Sequence, residues 1–117
     1  MMPRVLLIED DPIVARPTVR VLARAGACHV DWVPDPASAV ARCEQDRYDF
    51  LVSDFDLGPL ERTGVELLDE LRTTHPDATC ICISASPRDV PAWVAFVNKM
   101  DLASEMATAI DRWMASG

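Results

Sequence analysis

The chain has 117 residues, enough for one domain with a hydrophobic core, and half of its residues are hydrophobic. Its net charge of −8 argues against direct binding of nucleic acid, which needs a surplus of lysine and arginine, and against binding to an anionic membrane. No apolar stretch approaches the roughly 20 residues of a membrane span, and no secretory signal is predicted. We therefore expect a single domain, residues 1–117, in the cytoplasm.

The first segments of the chain predict a buried strand followed by a helix. Val5–Ile8 is fully apolar, which is typical of a strand buried on both faces of a sheet. A helix is predicted from Pro12 to Ala25, with Asp11 as its N-cap and Gly26 as its stop. Pro17 lies inside this helix and predicts a kink or a later start, because proline removes a helical hydrogen bond.

The remaining predicted elements continue an alternation of strands and helices. They are a strand at Cys28–Val33, a helix from Pro36 to about Asp46, a strand at Tyr48–Ser53, a helix from the Thr63 cap to about Thr74, strands at Ala78–Ser84 and Trp93–Val97, and a helix at Leu102–Ala115. Strands separated by helices indicate right-handed βαβ units and a parallel sheet covered on both faces. The sequence therefore predicts an α/β fold.

The link between the predicted fourth and fifth strands is too short for a full helix. Residues 85–92 must bridge two parallel strands, whereas such a crossover normally needs about 10–12 residues. Pro87 and Pro91 disfavour a helix further. We predict that the fourth helix is reduced or absent, which would leave the sheet edge and Trp93 more exposed.

The cysteines and histidines form no recognisable metal-binding pattern. Small buried side chains in a reducing compartment are the simplest interpretation of the cysteines. The histidines are expected at the surface or at strand edges. These residues are Cys28, Cys43, Cys80 and Cys82, and His29 and His75.

Polar side chains follow four of the predicted strands. Glu9 and Asp10 follow the first strand, Asp54 the third, Ser84 the fourth and Lys99 the fifth. The carboxyl ends of parallel strands meet in one crevice, so these groups are expected to converge there. Asp54 alone could simply cap a turn, but three converging carboxylates repel one another unless a cation such as Mg²⁺ lies among them. The whole set suits phosphoryl transfer to an aspartate nucleophile, assisted by a cation, an ammonium and a hydroxyl.

At these positions the chain resembles, over its whole length, the receiver domain of two-component response regulators. The resemblance implies a flavodoxin-like, doubly wound five-stranded parallel sheet with strand order 2-1-3-4-5. The segments that carry it are Val-Leu-Leu-Ile-Glu9-Asp10-Asp11, Tyr48-Asp-Phe-Leu-Val-Ser-Asp54, Ile83-Ser84-Ala85, Phe96, and Lys99-Met-Asp-Leu-Ala-Ser-Glu105-Met106.

The resemblance also implies how the acidic residues act. Asp54 would accept a phosphoryl group from a histidine kinase or a histidine phosphotransfer protein. Mg²⁺ would be bound directly by Asp10, by Asp54 and by the backbone carbonyl of Asp56, while Glu9 would act mainly through water. By the same resemblance the domain catalyses only its own phosphorylation and dephosphorylation and is otherwise not an enzyme.

The resemblance implies roles for three further residues, and the chain departs from the family pattern at two places. Ser84 and Lys99 would contact the phosphoryl oxygens, and Phe96 would be the switch aromatic residue. Met100 stands where the family usually has proline, so a trans bond is expected, because a cis bond there would cost about 2.5–4 kcal/mol. The loop at residues 57–64 is about two residues longer than usual, a change that surface loops tolerate.

Two other functions remain open from the sequence. A pseudo-receiver would keep the fold as a protein–protein interaction module without phosphorylation. The pair Asp54-Phe-Asp56 also resembles the haloacid-dehalogenase phosphohydrolases, although that family carries the pair on its first strand and needs a further acidic motif after the lysine. The downstream partner is unknown, and loss of the fourth helix leaves a homodimer open.

Overall fold

The computed structural model, which describes residues 2–27 and 29–116, has a five-stranded parallel sheet with helices on both faces. The strand order is β2-β1-β3-β4-β5, as expected for a flavodoxin-like fold. Cys28, which the sequence places in the second strand, lies outside the described residues. The elements are β1 (Arg4–Ile8), α1 (Pro12–Arg24), β2 (His29–Val33), α2 (Pro36–Gln45), β3 (Phe50–Asp54), α3 (Gly64–Leu71), β4 (Thr79–Ser84), β5 (Val94–Asn98), a one-turn 3₁₀ helix (Lys99–Asp101) and α4 (Leu102–Ser116).

Helix α1 begins at its predicted cap and continues through its internal proline. The side chain of Asp11 accepts a hydrogen bond from the backbone N–H of Ile13 at 2.9 Å, and Pro12 occupies the first turn. The predicted later start at Pro17 is wrong, because the helix already runs from Pro12. Gly26 follows the helix with φ 122°, a left-handed conformation that favours glycine.

Two apolar cores, one on each face of the sheet, hold the layers together. Full burial of a leucine or isoleucine side chain contributes about 1.5–3 kcal/mol, so both cores are substantial. On one face, α1 and α4 bury Leu22, Leu102, Met106 and Ile110 against Val5, Leu7, Phe50, Val52, Ile81, Ile83 and Val97. On the other face, α2 and α3 bury Ala39, Cys43, Leu67, Leu68 and Leu71 against Leu6, Ile8, Leu51, Cys80, Cys82 and Val94.

The β4–β5 connection, residues 85–93, contains no helix, and all of its residues are described. Val90 and Trp93 pack instead against the core on the α2–α3 face. The guanidinium carbon of Arg72 lies 3.9 Å from the centre of the Trp93 ring, a cation–π contact. Trp93 is therefore half-buried, whereas the sequence led us to expect it to be exposed.

The two histidines, which the sequence predicts at the surface or at strand edges, differ in their burial. His29 is exposed, but His75 is only 5% exposed and stacks on Tyr48. Among the described cysteines, Cys43, Cys80 and Cys82 are unpaired and buried, as small apolar side chains would be. In the part of the chain that the structure describes, no helix combines the length and the hydropathy needed to cross a membrane.

Candidate functional site

The polar residues predicted at strand ends do meet at one edge of the sheet. Strand β1 lies beside β3, with Ile8 opposite Ser53, so Glu9 and Asp54 emerge next to each other. Strands β4 and β5 follow on the other side of β3, with Ser84 opposite Asn98. This register brings the carboxyl ends of four strands to the same crevice, as the parallel topology requires.

The carboxylates of Glu9, Asp10 and Asp54 form an acidic cluster. One oxygen from each lies within 4.8 Å of the others. Glu9 is 2% exposed and Asp54 7% exposed, whereas Asp10 is open to solvent. The pocket around them, called the acidic pocket below, is lined by Glu9, Asp10, Asp11, Val14, Asp54, Asp56, Gly58, Pro59 and Lys99.

Two hydrogen bonds to residues of β2 fix both backbone polar groups of Glu9. The N–H of Glu9 donates to the carbonyl of Val33 at 3.1 Å, and the indole N–H of Trp32 donates to the carbonyl of Glu9 at 2.8 Å. The Glu9 side chain accepts the backbone N–H of Asp11 at Oε1, at 3.1 Å. Its other oxygen, Oε2, is buried and has no hydrogen-bond partner among the described residues. A buried carboxylate oxygen without a partner is costly, which favours either a proton or a cation there.

The pKa values of two carboxyl groups reflect this crowding. Burial raises the pKa of Glu9 to about 7, and repulsion from Asp54 and the neighbouring carboxyl group of Asp10 add to the increase, while the backbone N–H of Asp11 opposes it. Burial also raises the pKa of Asp54, although its contact with Lys99 partly offsets the effect. The cluster therefore resists carrying its full negative charge in the absence of a cation.

Lys99 supplies the positive charge of the pocket. Its Nζ atom lies 3.0 Å from Oδ1 of Asp54. Burial lowers the pKa of Lys99, but the pairing with Asp54 outweighs burial and raises it overall. The 3₁₀ helix that begins at Lys99 is capped by Asn98, whose side chain accepts the N–H of Met100 at 2.9 Å. All described peptide bonds are trans, including the bond between Lys99 and Met100, as expected.

Two predicted site residues are not among the described residues that line the acidic pocket. Ser84 ends β4, is 5% exposed, and its Oγ accepts the N–H of Ser86 at 3.2 Å. Phe96 is half-buried in β5 and lies opposite Cys82. The structure therefore brings together the acidic residues and Lys99, with Ser84 at the end of the neighbouring strand.

The segment after Asp54 is held in place on both of its sides. The N–H of Gly64 donates to the carbonyl of Phe55 at 2.8 Å, and the N–H of Phe55 donates to the carbonyl of Ile83 at 2.9 Å. A side-chain carbon built on Gly64 would lie only 2.1 Å from the carbonyl oxygen of Asp54. The start of α3 can therefore approach the end of β3 this closely only with glycine at position 64.

Two residues at the site are not predicted by the sequence reasoning. The indole N–H of Trp32 donates a hydrogen bond to the backbone carbonyl of Glu9. Arg88 approaches the site from the β4–β5 connection: its Nη2 atom lies 3.3 Å from Oδ2 of Asp56, and its guanidinium carbon lies 4.5 Å from the centre of the Phe55 ring. Both contacts join distant parts of the chain, and local sequence patterns carry no signal for them.

Comparisons with known proteins agree with this geometry. The chain resembles a solved receiver domain (CheY-like) from Methylobacillus flagellatus at 17% identity with a TM-score of 0.82, covering 96% of this chain and 98% of that one. At this identity the likeness shows the fold alone.

Two curated relatives match parts of the chain. The methanol utilization control regulatory protein MoxX of Paracoccus denitrificans is 28% identical over 74 residues, which are 63% of this chain and 33% of that protein. Protein-glutamate methylesterase/protein-glutamine glutaminase 1 of Anaeromyxobacter dehalogenans is 28% identical over 82 residues, which are 70% of this chain and 23% of that protein. The matches thus span a third or less of the length of these relatives.

The family model of the response regulator receiver domain matches residues 5–101. This range includes β1 except for its first residue, Glu9 and Asp10 after β1, Asp54 at the end of β3, and Lys99 after β5. The chain belongs to the response regulator receiver domain family of two-component signalling.

Proposed function

We propose that this chain is a phosphorylatable switch that accepts a phosphoryl group on Asp54 from a histidine kinase or a histidine phosphotransfer protein. The observation that carries the proposal is the 3.0 Å contact between Lys99 Nζ and Asp54 Oδ1 inside a cluster of carboxylates. In the transfer, an oxygen of Asp54 forms a bond to phosphorus as the N–P bond of the donor's phosphohistidine breaks. The product is an acyl phosphate on Asp54 and a free histidine on the donor.

The residues of the acidic pocket fit a divalent cation. Three carboxylate oxygens lie within 4.8 Å of one another, and Oε2 of Glu9 has no partner among the described residues. Oxygen ligands of this kind suit Mg²⁺, which would be held by Asp10, Asp54 and the backbone carbonyl of Asp56, with Glu9 acting through water. When bound, the ion would supply positive charge for the phosphoryl oxygens.

The other site residues have separate tasks in this proposal. Lys99 orients one oxygen of Asp54 and, after transfer, donates to a phosphoryl oxygen. The Oγ atom of Ser84 accepts from Ser86, which leaves its own O–H free to donate to the phosphoryl group. Phe96, on the β5 face that lacks a covering helix, would respond as the switch aromatic residue.

Membership of the receiver family favours a signalling role over an enzymatic one. We propose that residues 1–117 form one receiver domain and that it acts in the cytoplasm. It would signal to a downstream protein, which membership of the family does not identify. Homodimer formation stays a prediction, which sedimentation velocity before and after phosphorylation would check.

The test is phosphorylation with a small-molecule donor. Incubation with Mg²⁺ and acetyl phosphate should add the mass of one phosphoryl group, which hydroxylamine should remove. Asp54→Asn should gain no mass, whereas Asp77→Asn, a change at an exposed aspartate, should behave as the wild type.

Two results would contradict the proposal. A wild-type protein that gains no mass and shows no NMR response to Mg²⁺ with beryllofluoride would be a phosphorylation-independent interaction module. Steady turnover of a phosphomonoester would instead favour the phosphohydrolase.

A further inference from the structure

The β4–β5 connection carries a cation that contacts the residues directly after Asp54. Arg88 pairs with the side chain of Asp56 at 3.3 Å and stacks over the ring of Phe55 at 4.5 Å. A planar guanidinium can do both at once, since it forms ion pairs in its plane and stacks through its face. Arg88 therefore fixes the β4–β5 connection to the acceptor end of β3.

The far end of the same connection is fixed to a different part of the molecule. Val90 and Trp93 pack against the core on the α2–α3 face, and the ring of Trp93 lies 3.9 Å from the guanidinium carbon of Arg72. No helix stiffens residues 85–93, all of which are described. The conformation of this segment therefore depends strongly on its contacts near the acidic pocket and at Trp93.

Arg88 also lies beside the acidic pocket, because its partner Asp56 is one of the residues that line this pocket. An acyl phosphate on Asp54 would carry about two negative charges in place of the single charge of the carboxylate, and this increase would attract a nearby arginine.

We propose that Arg88 is a positioning residue of the phosphoacceptor site, which ties the β4–β5 connection to Asp56 and transmits the charge at Asp54 to that connection. The inference rests on the proposed function. In the ligand-free protein Arg88 pairs with Asp56. Mg²⁺ alone places positive charge beside this pair and weakens it, whereas an anionic group on Asp54 draws Arg88 toward the pocket. Because the connection contains no helix, the residues that follow Arg88 move with it.

NMR titration of the whole chain tests this coupling. The wild type is titrated with Mg²⁺ alone and then with Mg²⁺ and beryllofluoride, and the amide signals of residues 85–93 and the indole N–H of Trp93 are followed. In Arg88→Gln, the beryllofluoride-induced shifts at Glu9 and Asp54 should persist, while those across 85–93 should fall by at least about half. Arg20→Gln, a change at an exposed arginine, should match the wild type at every signal.

A second variant removes the pair from its other side. Asp56→Asn keeps the backbone carbonyl but removes the partner charge, so its ligand-free signals for 85–93 should shift away from those of the wild type; wild-type positions for these signals would overturn the inference. This variant carries the test if Arg88→Gln does not fold.

The outcomes separate the inference from the proposed function. Wild-type shifts across 85–93 in Arg88→Gln would overturn the inference, as would loss of the beryllofluoride response at Glu9 and Asp54, because Arg88 would then serve in binding and not in positioning. A wild-type protein whose Asp54 signal does not respond to Mg²⁺ and beryllofluoride would overturn the proposed function itself.

Discussion

Replacing Glu9 by glutamine should stabilise the ion-free protein at neutral and higher pH while weakening its binding of Mg²⁺. Glu9 is 2% exposed, one of its oxygens lacks a partner among the described residues, and burial raises its pKa to about 7. A carboxyl whose pKa is higher in the folded state binds more protons when folded. Its contribution to stability is therefore fully present below about pH 4.5 and is lost as the pH rises through about 7.

The size of this effect follows from the pKa difference. The pKa rises from 4.5 to about 7, and about 1.4 kcal/mol per pKa unit gives roughly 3.5 kcal/mol as an upper limit. The charges of Glu9 and Asp54 repel each other, so the protonation of the two groups is coupled, which reduces the net effect to about 1–3 kcal/mol. Glutamine carries no charge to bury, so the variant should escape this loss. Removal of an outer ligand should weaken Mg²⁺ binding by roughly tenfold or more.

Urea denaturation in the presence of a chelator, across about pH 5 to 8, measures the free energy of unfolding. The difference between Glu9→Gln and the wild type should grow by about 1–3 kcal/mol in favour of the variant over this range. Glu44→Gln, a change at an exposed glutamate of α2, serves as the matched control and should follow the wild type. Parallel pH profiles for Glu9→Gln and the wild type would refute the reasoning, because Glu9 would then not be the group that titrates.

Three other substitutions test the supports of the site. Gly64→Ala places a carbon 2.1 Å from the carbonyl oxygen of Asp54 and should lower the free energy of unfolding by about 3 kcal/mol in urea; wild-type stability would contradict the close approach. Thr63→Ala removes a capping box and should lower the free energy of unfolding by about 1 kcal/mol, whereas Thr63→Ser should retain most of this stability; equal losses in the two variants would argue against the cap. Trp32→Phe removes the indole donor to Glu9 and should weaken Mg²⁺ binding about 2–10-fold in an NMR titration, and unchanged affinity would show that this hydrogen bond does not position Glu9.

The sheet and the acidic cluster could be predicted because each depends on local patterns. Fully apolar runs such as Val5–Ile8 mark buried strands, and caps such as Asp11 and Thr63 mark helix starts. Once the strands are parallel, topology alone brings Glu9 and Asp54 together. The missing fourth helix was also predictable, because it follows from chain length and prolines.

The contacts that the sequence did not reveal all join distant residues. The burial of His75 depends on stacking with Tyr48 and on a hydrogen bond between its Nε2 and the carbonyl of Asp46 at 3.2 Å, 29 positions away. Arg72 lies over Trp93 only because the end of α3 meets the β4–β5 connection. The sequence on either side of a polar or aromatic residue does not show whether a distant part of the chain packs against it. Local patterns therefore do not distinguish a surface position from a buried one for such residues.

The absence of a helix between β4 and β5 affects which parts of the molecule unfold locally at the lowest free energy. Strand β5 is at the edge of the sheet, with α4 on one face, and on the other face Val90 and Trp93 of the connection pack against the core in place of a helix. Segments with few buried apolar contacts open at lower free energy than the rest of a domain. The edge strand and its connection should therefore exchange their amide hydrogens earlier than β1 and β3, so that this part of the chain can loosen and close again without unfolding the acidic pocket.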